Sequence, residues 1–206
     1  MIVVINYGTG NLRSVYNALY RVGADVVISH NPEDLACAEK VVLPGVGAFG
    51  AAMANLRDQG WTEAILREVV QNRKPFLGIC LGLQVLADIG FERGVHTGLG
   101  ILKGRVERIQ SPDVRLPHVG WNDIRVLKPH PLFANLNTRP TFYFVHSFKM
   151  VCEFPGAVAA TCTYGEEFTA AVASENMFAT QFHPEKSQDQ GLKLLENFVE
   201  WNGRET

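Results

Sequence analysis

The chain has 206 residues, of which 47% are hydrophobic and 19% are charged, and its formal net charge is −2 at pH 7. This length suffices for one well-packed domain and is short for two, and the composition is that of an ordinary globular protein. The charge argues against a nucleic-acid partner, and no apolar stretch approaches the roughly 20 residues that span a bilayer.

The N-terminus and the cysteines favour a reducing compartment. Residues 1–6 lack the basic region and cleavage site of a signal peptide, and they are typical of a first strand. Cys37, Cys80, Cys152 and Cys162 show neither a C-x-x-C pair nor the spacing of a disulfide framework. We therefore expect reduced thiols and a cytoplasmic location.

In the first half of the chain, short apolar runs alternate with stretches of helical periodicity. The predicted elements are a strand over 1–6, a helix over 12–22, a strand over 25–29, a short helix over 34–38, a strand over 40–43, helices over 48–57 and 61–71, a strand over 76–79 and a helix over 81–87. Such alternation predicts an α/β fold with a mostly parallel central sheet and helices on both faces.

After about residue 100, strands follow one another with few helices between them. They are predicted over 104–109, 124–127, 141–146, 157–163, 169–173 and 177–182. This pattern indicates an antiparallel extension of the same sheet, and the lack of a linker predicts a single domain over residues 1–206. A last helix follows Ser187, which forms a predicted capping box with Gln190.

Cys80 lies where a buried strand must turn sharply into a helix. It is the centre of the segment Gly78-Ile79-Cys80-Leu81-Gly82, in which the two glycines permit a tight turn. This is the G-x-nucleophile-x-G elbow of hydrolase-like folds, with cysteine in place of serine. The helix dipole at this position favours the thiolate. The alternative, a buried structural cysteine, is the less favoured interpretation in this setting.

His183 and Glu185 supply a candidate base and its orienting partner. They are two residues apart at the end of an apolar strand, so both side chains are predicted on the same side. A carboxylate beside a histidine base fixes the tautomer and stabilises the imidazolium. An isolated H-P-E segment would more often be a strand-end histidine with a solvated glutamate. Together with the elbow, the two residues predict a Cys-His-Glu triad.

Thioester chemistry also requires donors for the developing oxyanion. The N–H of Leu81 is one candidate, and the glycine-rich loop Pro44-Gly45-Val46-Gly47, which could otherwise be a simple turn, offers a second. Gly8-Thr9-Gly10 is not a dinucleotide site, because Arg13 replaces the third glycine of that motif. No histidine shows the spacing of a metal ligand, so no metal and no cofactor are predicted.

At these motifs the chain resembles the class I (triad) glutamine amidotransferases, and most closely the glutaminase subunits of imidazole glycerol phosphate synthases. The resemblance runs from end to end, through the segments 6–12, 44–50, 78–84, 117–122, 143–148 and 181–187. It implies a flavodoxin-like amidotransferase fold and the hydrolysis of glutamine to glutamate and ammonia.

The resemblance also implies the roles of individual residues. Cys80, His183 and Glu185 would be catalytic; Val46, Gly47 and Leu81 would form the oxyanion hole; Gln84, Ser147 and Phe148 would hold the α-amino and α-carboxylate groups of glutamine. The Val46 peptide would have to reorient before both oxyanion donors point correctly. Two departures are mild: Leu83 stands where methionine is common, and Phe148 where tyrosine is common.

A partner subunit is implied as well. The glutaminase would dock in a heterodimer on a (β/α)8-barrel synthase subunit that receives the ammonia and makes imidazole glycerol phosphate and the purine-pathway carboxamide AICAR. Asn11, Trp121, Asn122 and Lys186 would face this partner.

Three alternatives to this interpretation have different consequences. A cysteine hydrolase or peptidase would share the elbow but would have no reason to carry the segments 117–122 and 143–148. A non-catalytic binding module is disfavoured by the intact triad. A paralogous glutaminase that feeds another synthase, for example one that amidates a cell-surface sugar, would have the same catalytic residues and stays open.

Overall fold

In the computed structural model, which describes residues 1–204, helices cover both faces of one large sheet, and a second sheet of four strands stands beside it. The elements are β1 (Ile2–Ile5), α1 (Leu12–Arg21), β2 (Val26–Ser29), β3 (Lys40–Gly45), α2 (Phe49–Asp58), α3 (Trp61–Ile65), β4 (Phe76–Cys80), α4 (Leu81–Gln84), β5 (Ala87–Gly90), β6 (His96–Thr97), β7 (Leu102–Arg108), β8 (His118–Val126), β9 (Thr141–His146), β10 (Phe148–Cys152), β11 (Val158–Tyr164), β12 (Glu166–Ser174), β13 (Met177–Thr180) and α5 (Gln188–Glu200). Short 3-10 turns cover Pro32–Cys37, Pro131–Phe133, Pro155–Ala157 and Pro184–Lys186, and a π-helical turn, Leu66–Gln71, continues α3.

The large sheet has the strand order β2-β1-β3-β4-β13-β12-β11-β8-β9. The first five strands pair in parallel, and the remaining pairings are antiparallel. The predicted parallel sheet with an antiparallel extension is therefore confirmed. Because β13 returns from the second half of the chain to lie beside β4, the end of β13 reaches the elbow at Cys80.

Alternating side chains divide the core between the two faces of the sheet. Ile2 and Val4 of β1 pack with buried residues of α1 and α5, whereas Val3 and Ile5 pack with those of α2 and α3. A strand that is buried on both faces is uniformly apolar, as β1 is. The predicted placement of helices on both faces is confirmed.

The small sheet, ordered β10-β7-β5-β6, was not predicted. Its strand β5 begins at Ala87, where the predicted helix over 81–87 was expected to end; α4 in fact stops at Gln84. The carbonyls of Val85 and Leu86 accept hydrogen bonds from the N–H groups of Leu99 and Leu102, so a later segment takes the acceptors that a longer helix would need. In this sheet Phe148 pairs with Arg108.

Other sequence predictions need correction. The short helix predicted over 34–38 is a 3-10 turn, and β8 begins six residues before the predicted strand over 124–127. The predicted capping box is wrong: the Ser187 hydroxyl donates to the carbonyl of His183, and the Gln190 side chain accepts from the N–H of Asn137. Among residues 1–204, no helix is long and apolar enough to cross a membrane.

Three buried histidines give this fold an expected pH dependence. Burial lowers the pKa of His118, His130 and His146 from 6.5 to about 4. Below pH 6.5 these histidines bind protons in the unfolded chain but not in the folded chain. The contribution of the neutral, buried imidazoles to stability is therefore complete above pH 6.5 and is lost as the pH falls towards 4. We expect the free energy of unfolding, measured with urea, to fall by about 3 kcal/mol or more across this range.

The variant His130→Asn tests whether the buried histidines cause this pH dependence. His130 lies between Phe178 and Trp201, and its Nδ1 accepts the N–H of Leu132 at 3.2 Å. Asparagine preserves an acceptor for this N–H but cannot titrate. The slope of the unfolding free energy against pH, which counts the protons taken up on unfolding, should therefore decrease by the equivalent of up to one proton. An unchanged slope between about pH 4.5 and 6.5 would contradict the prediction.

Candidate active site

The elbow at the end of β4 holds Cys80 in a backbone conformation that is rare for a residue with a side chain. Cys80 has φ 55° and ψ −104° and is buried, and α4 begins at the next residue. Such conformations persist at functional sites because the surrounding structure enforces them. The predicted strand–nucleophile–helix turn is present.

The flanking glycines have a different role from the one expected from the sequence. Neither of them has a positive φ. A Cβ at Gly82 would lie 1.9 Å from the carbonyl oxygen of Leu43, and one at Gly78 would lie 2.7 Å from the carbonyl oxygen of Gly82. The glycines therefore provide clearance for the close approach of α4 to β3 and β4, while Cys80 itself carries the unusual backbone angle.

The structure brings His183 and Glu185 together as predicted, but it does so through the 3-10 turn Pro184–Lys186 and not through the strand spacing on which the prediction rested. The imidazole Nδ1 lies 2.8 Å from Glu185 Oε1, and both side chains are buried. A carboxylate accepts, so Nδ1 must carry a proton, which leaves Nε2 as the atom that exchanges protons. His183 Nε2 has no hydrogen-bond partner of good geometry among the described residues, so it is available to Cys80.

The electrostatics of the site favour a charged His183. Burial lowers its pKa, but the neighbouring Cys80 sulfur and the Glu185 carboxylate outweigh burial and raise the pKa to about 10. An imidazolium next to Cys80 stabilises a thiolate, which is the nucleophilic form of cysteine. The arrangement therefore suits nucleophilic attack at neutral pH.

The predicted oxyanion residues surround the same site. Gly45 pairs with Cys80 in the parallel ladder, so the loop after β3 begins beside the elbow. The N–H groups of Val46 and Gly47 make no hydrogen bond among the described residues, and Gly47 has φ 105°. Leu81 is the first residue of α4, where an N–H has no partner within the helix. These are the groups that an oxyanion hole requires.

A cavity of about 1060 Å³ opens at the elbow. Its lining includes the predicted site residues Val46, Gly47, Cys80, Leu81, Gln84, Ser147 and Phe148, together with Lys186. A molecule as small as an amino acid fits this volume.

Hydrogen bonds fix the orientation of the Gln84 amide. Its Nε2 donates to the carbonyl of Phe148 at 2.9 Å and to Gln181 Oε1 at 3.0 Å. A carbonyl oxygen only accepts, so the amino group of Gln84 must face Phe148. The Oε1 of Gln84 consequently has no partner among the described residues, and it suits a ligand that donates, such as an ammonium group.

Two buried histidines that the sequence did not single out as site residues lie behind the Ser147–Phe148 segment. His146 Nδ1 lies 2.9 Å from the Phe148 carbonyl, and His146 Nε2 lies 3.2 Å from His118 Nδ1. The carbonyl requires a donor, so His146 carries its proton on Nδ1 and accepts from His118. His146, missed as a site residue, also lines the cavity.

The predicted partner-facing residues are only partly brought together. The ring of Trp121, which is 47% exposed, makes a T-shaped contact with that of Tyr143, and the Lys186 ammonium lies 5.8 Å from the centre of the Tyr143 ring. Asn122 lies on the other face of β8 and donates to the carbonyl of Thr163. Asn11 precedes α1 without making a side-chain capping bond.

No group of three or more metal-ligating side chains occurs in the part of the chain that the structure describes. The donors around Cys80 are a thiol, an imidazole and amides, and they fit acyl chemistry.

Comparisons with known families agree with this site. The family described as Glutamine amidotransferase class-I matches residues 3–201. A Campylobacter jejuni protein named imidazole glycerol phosphate synthase subunit HisH 1 is 48% identical over 202 residues, which cover 97% of this chain and 99% of that protein. A Pseudomonas aeruginosa protein named subunit HisH 2 is 47% identical, with the same coverage, and a Syntrophotalea carbinolica HisH is 49% identical over 96% of this chain and 98% of its own length.

Solved structures share the fold at low identity. A chain in a structure of PurLQS from Thermotoga maritima superposes with a TM-score of 0.77 at 23% identity, and the match covers 97% of both chains. A chain described as a glutamine amidotransferase superposes with a TM-score of 0.75 at 22% identity, covering 98% of this chain and all of that one.

Proposed function

The chain belongs to the class I glutamine amidotransferase family, and we propose that it is the glutamine-hydrolysing subunit of an imidazole glycerol phosphate synthase in histidine biosynthesis. The observation that carries the proposal is the Cys80 elbow with His183 hydrogen-bonded to Glu185 at 2.8 Å. Full-length identity of 47–49% to proteins named as that subunit supports the synthase assignment. We further propose that the chain acts as one glutaminase domain.

The first half of the reaction forms a thioester. The Cys80 thiolate attacks the carboxamide carbon of glutamine, and the negative charge that develops on oxygen is stabilised by the N–H groups of Leu81 and Gly47. His183 Nε2 then donates its proton to the departing nitrogen, the C–N bond breaks and ammonia leaves. Glu185 holds the imidazolium in the orientation that this transfer needs.

The second half regenerates the enzyme. His183, now neutral, removes a proton from water, and the resulting hydroxide attacks the thioester carbon. The same oxyanion donors stabilise the second intermediate, which collapses to glutamate and the Cys80 thiolate. The proton taken by His183 restores the imidazolium.

We propose that Gln84 and the Ser147–Phe148 segment position the substrate. The amino group of Gln84 donates to the Phe148 carbonyl and to Gln181, which turns Gln84 Oε1 away from both of them. This oxygen can then accept a hydrogen bond from the α-ammonium group of glutamine. A carboxylate only accepts hydrogen bonds, so the α-carboxylate would be bound through N–H groups of this segment and not through the Phe148 carbonyl, which accepts from Gln84 and His146.

We propose a synthase partner for this glutaminase, because ammonia released into water would be protonated and lost to the synthesis. We propose a heterodimer with a (β/α)8-barrel synthase subunit in the cytoplasm, contacted through the surface that carries Trp121 and Lys186 and through Asn11 and Asn122. Its products would be imidazole glycerol phosphate and AICAR.

A second candidate is a paralogous glutaminase that serves another synthase. The relatives from Campylobacter jejuni and Pseudomonas aeruginosa carry the numbered names HisH 1 and HisH 2, which distinguish more than one subunit of that name. The triad would be the same in both cases, so only the partner discriminates between them.

Glutamate release with and without the synthase tests the proposal. We expect negligible activity from the isolated chain and a stimulation of about 10²-fold or more by the histidine-pathway barrel with its ligand bound, since one correctly placed oxyanion donor contributes about that much. A matched incubation with the ligand alone is the control. Rapid turnover without the barrel would contradict the proposal, and stimulation only by a different synthase would favour the second candidate.

A further inference from the structure

Gln181 is a buried amide whose two ends both have partners in the active site. Its side chain is fully buried, its Nε2 lies 3.6 Å from Cys80 Sγ, and its Oε1 accepts from Gln84 Nε2 at 3.0 Å. The backbone explains this position. Gln181 directly follows β13, which lies beside β4 and its terminal Cys80, and the chain bends at Gln181 and Phe182 before it reaches His183.

The orientation of this amide is determined by its neighbours. The Phe148 carbonyl accepts, so the amino group of Gln84 faces it, and the remaining N–H of that group points at Gln181. Gln181 must therefore present its oxygen to Gln84 and its own amino group to Cys80. The opposite orientation would place two amino groups against each other and an oxygen against the sulfur.

We propose that Gln181 is a catalytic residue: its amide donates a hydrogen bond to the Cys80 sulfur that stabilises the thiolate, and its oxygen holds Gln84 in the orientation that accepts glutamine. The second part rests on the proposed glutaminase function, whereas the first concerns the cysteine alone. A donor stabilises a charged sulfur more than the neutral sulfur of a thioester. Gln181 thereby acts on the same sulfur atom as His183. Unlike the imidazole, however, its amide neither gains nor loses a proton.

Other ionisable groups also influence the sulfur and must be kept constant in any test. His183 and the buried Tyr7 interact electrostatically with Cys80, and Glu185 acts on it through His183. The charged or titratable residues that line the cavity are Glu92, Arg93, Arg108, His146 and Lys186. All of them are unchanged in the variants below.

The test measures the pH dependence of Cys80 alkylation by iodoacetamide in the full-length chain, without glutamine. In Gln181→Met the new side chain has a similar length but no amide. We expect this variant to move the midpoint of the alkylation profile up by about one pH unit, which is the size expected when a charged group loses one hydrogen bond. Gln181→Glu should move the midpoint further up, because a negatively charged carboxylate beside the sulfur repels the thiolate.

Thr180→Val is the matched control. Thr180 is equally buried and its hydroxyl donates to the carbonyl of Phe182, not to the active site. We expect this variant to lose some thermal stability and to retain the wild-type alkylation profile. If Gln181→Met and Gln181→Glu both behave like Thr180→Val, Gln181 is a structural residue and the proposal is overturned.

Steady-state kinetics of the complex with the synthase subunit test the second part. Gln181→Met should lower kcat about tenfold and also raise KM for glutamine, since Gln84 loses its anchor, whereas Gln181→Glu preserves an acceptor for Gln84 and should change mainly kcat. A shifted alkylation profile without any glutamine hydrolysis by the wild-type complex would contradict the proposed function and leave the thiolate donor supported. An equal KM in Gln181→Met and the wild type would overturn the role of Gln181 in holding Gln84.

Discussion

Replacement of Cys80 with alanine is expected to abolish glutamine-dependent synthesis in the complex and to leave synthesis from added ammonium salts intact. The sulfur is the only group at the elbow that can form a covalent intermediate, so its loss removes the whole thioester route. The expected decrease in the glutamine-dependent rate is about 10⁴-fold or more, the size seen when a covalent nucleophile is removed. The measurement is product formation from glutamine and from ammonia, side by side.

Cys162→Ala is the control for a general effect of losing a buried thiol. Cys162 lies on β11 and is as buried as Cys80, but it does not line the cavity, and burial raises its pKa to about 12. We expect this variant to retain both activities. If Cys80→Ala lost the ammonia-dependent activity together with the glutamine-dependent one, Cys80 would be a structural residue and the proposed mechanism would be wrong.

The nucleophile and its base could be predicted from the sequence because both are encoded by short local patterns. A buried strand that runs into Gly78-Ile79-Cys80-Leu81-Gly82 leaves few conformations other than an elbow. His183 and Glu185 were predicted on one side from the two-residue spacing of a strand, and they do lie 2.8 Å apart. The chain is not a strand at this point, however, because Glu185 lies in the 3-10 turn Pro184–Lys186 that begins directly after His183. The parallel sheet followed from the alternation of strands and helices.

The small sheet could not be predicted in this way, since its strands form through contacts between distant residues. Residues 81–87 have helical spacing, but the helix stops at Gln84, and the carbonyls that follow it accept hydrogen bonds from residues 99–102 instead. Strand β6 has two residues, too few for any periodicity. Strand β10 follows β9 after one intervening residue, with no glycine or proline to mark the turn.

The same reason explains why polar site residues were missed. Gln181 and His146 lie in apolar strand ends, where an isolated polar residue indicates no particular chemistry. Their roles depend on the groups that they contact in the fold: Gln181 contacts Cys80 and Gln84, and His146 contacts the Phe148 carbonyl. The two-residue spacing of Gln181 and His183 was no signal either, because the chain bends at Gln181 and Phe182 and strand periodicity does not apply there.

Changes in the His183–Glu185 pair are expected to separate chemistry from binding. His183→Asn removes the only proton carrier that faces Cys80 from this segment, so kcat for glutamine hydrolysis in the complex should fall about 10³-fold, within the usual range for a general base. KM should change little, because His183 holds neither of the groups proposed to bind the α-amino and α-carboxylate ends. A large rise in KM with an unchanged kcat would contradict the assignment of His183 as the base.

Glu185 should have a graded effect that reports how it acts. In Glu185→Gln the amide oxygen can still accept from Nδ1, but the negative charge is gone, so we expect a decrease in kcat of about 10-fold, against about 10²-fold for Glu185→Leu, which also loses the orienting bond. The carboxylate is one of the groups that raise the pKa of His183, so both variants lower that pKa and the imidazolium is lost at a lower pH. Cys80 alkylation near pH 7 should therefore slow in both variants, whereas Glu175→Gln, at an exposed surface glutamate, should match the wild type. If alkylation were unchanged while kcat fell, Glu185 would act on the orientation of the imidazole alone, and the electrostatic part of this prediction would be wrong.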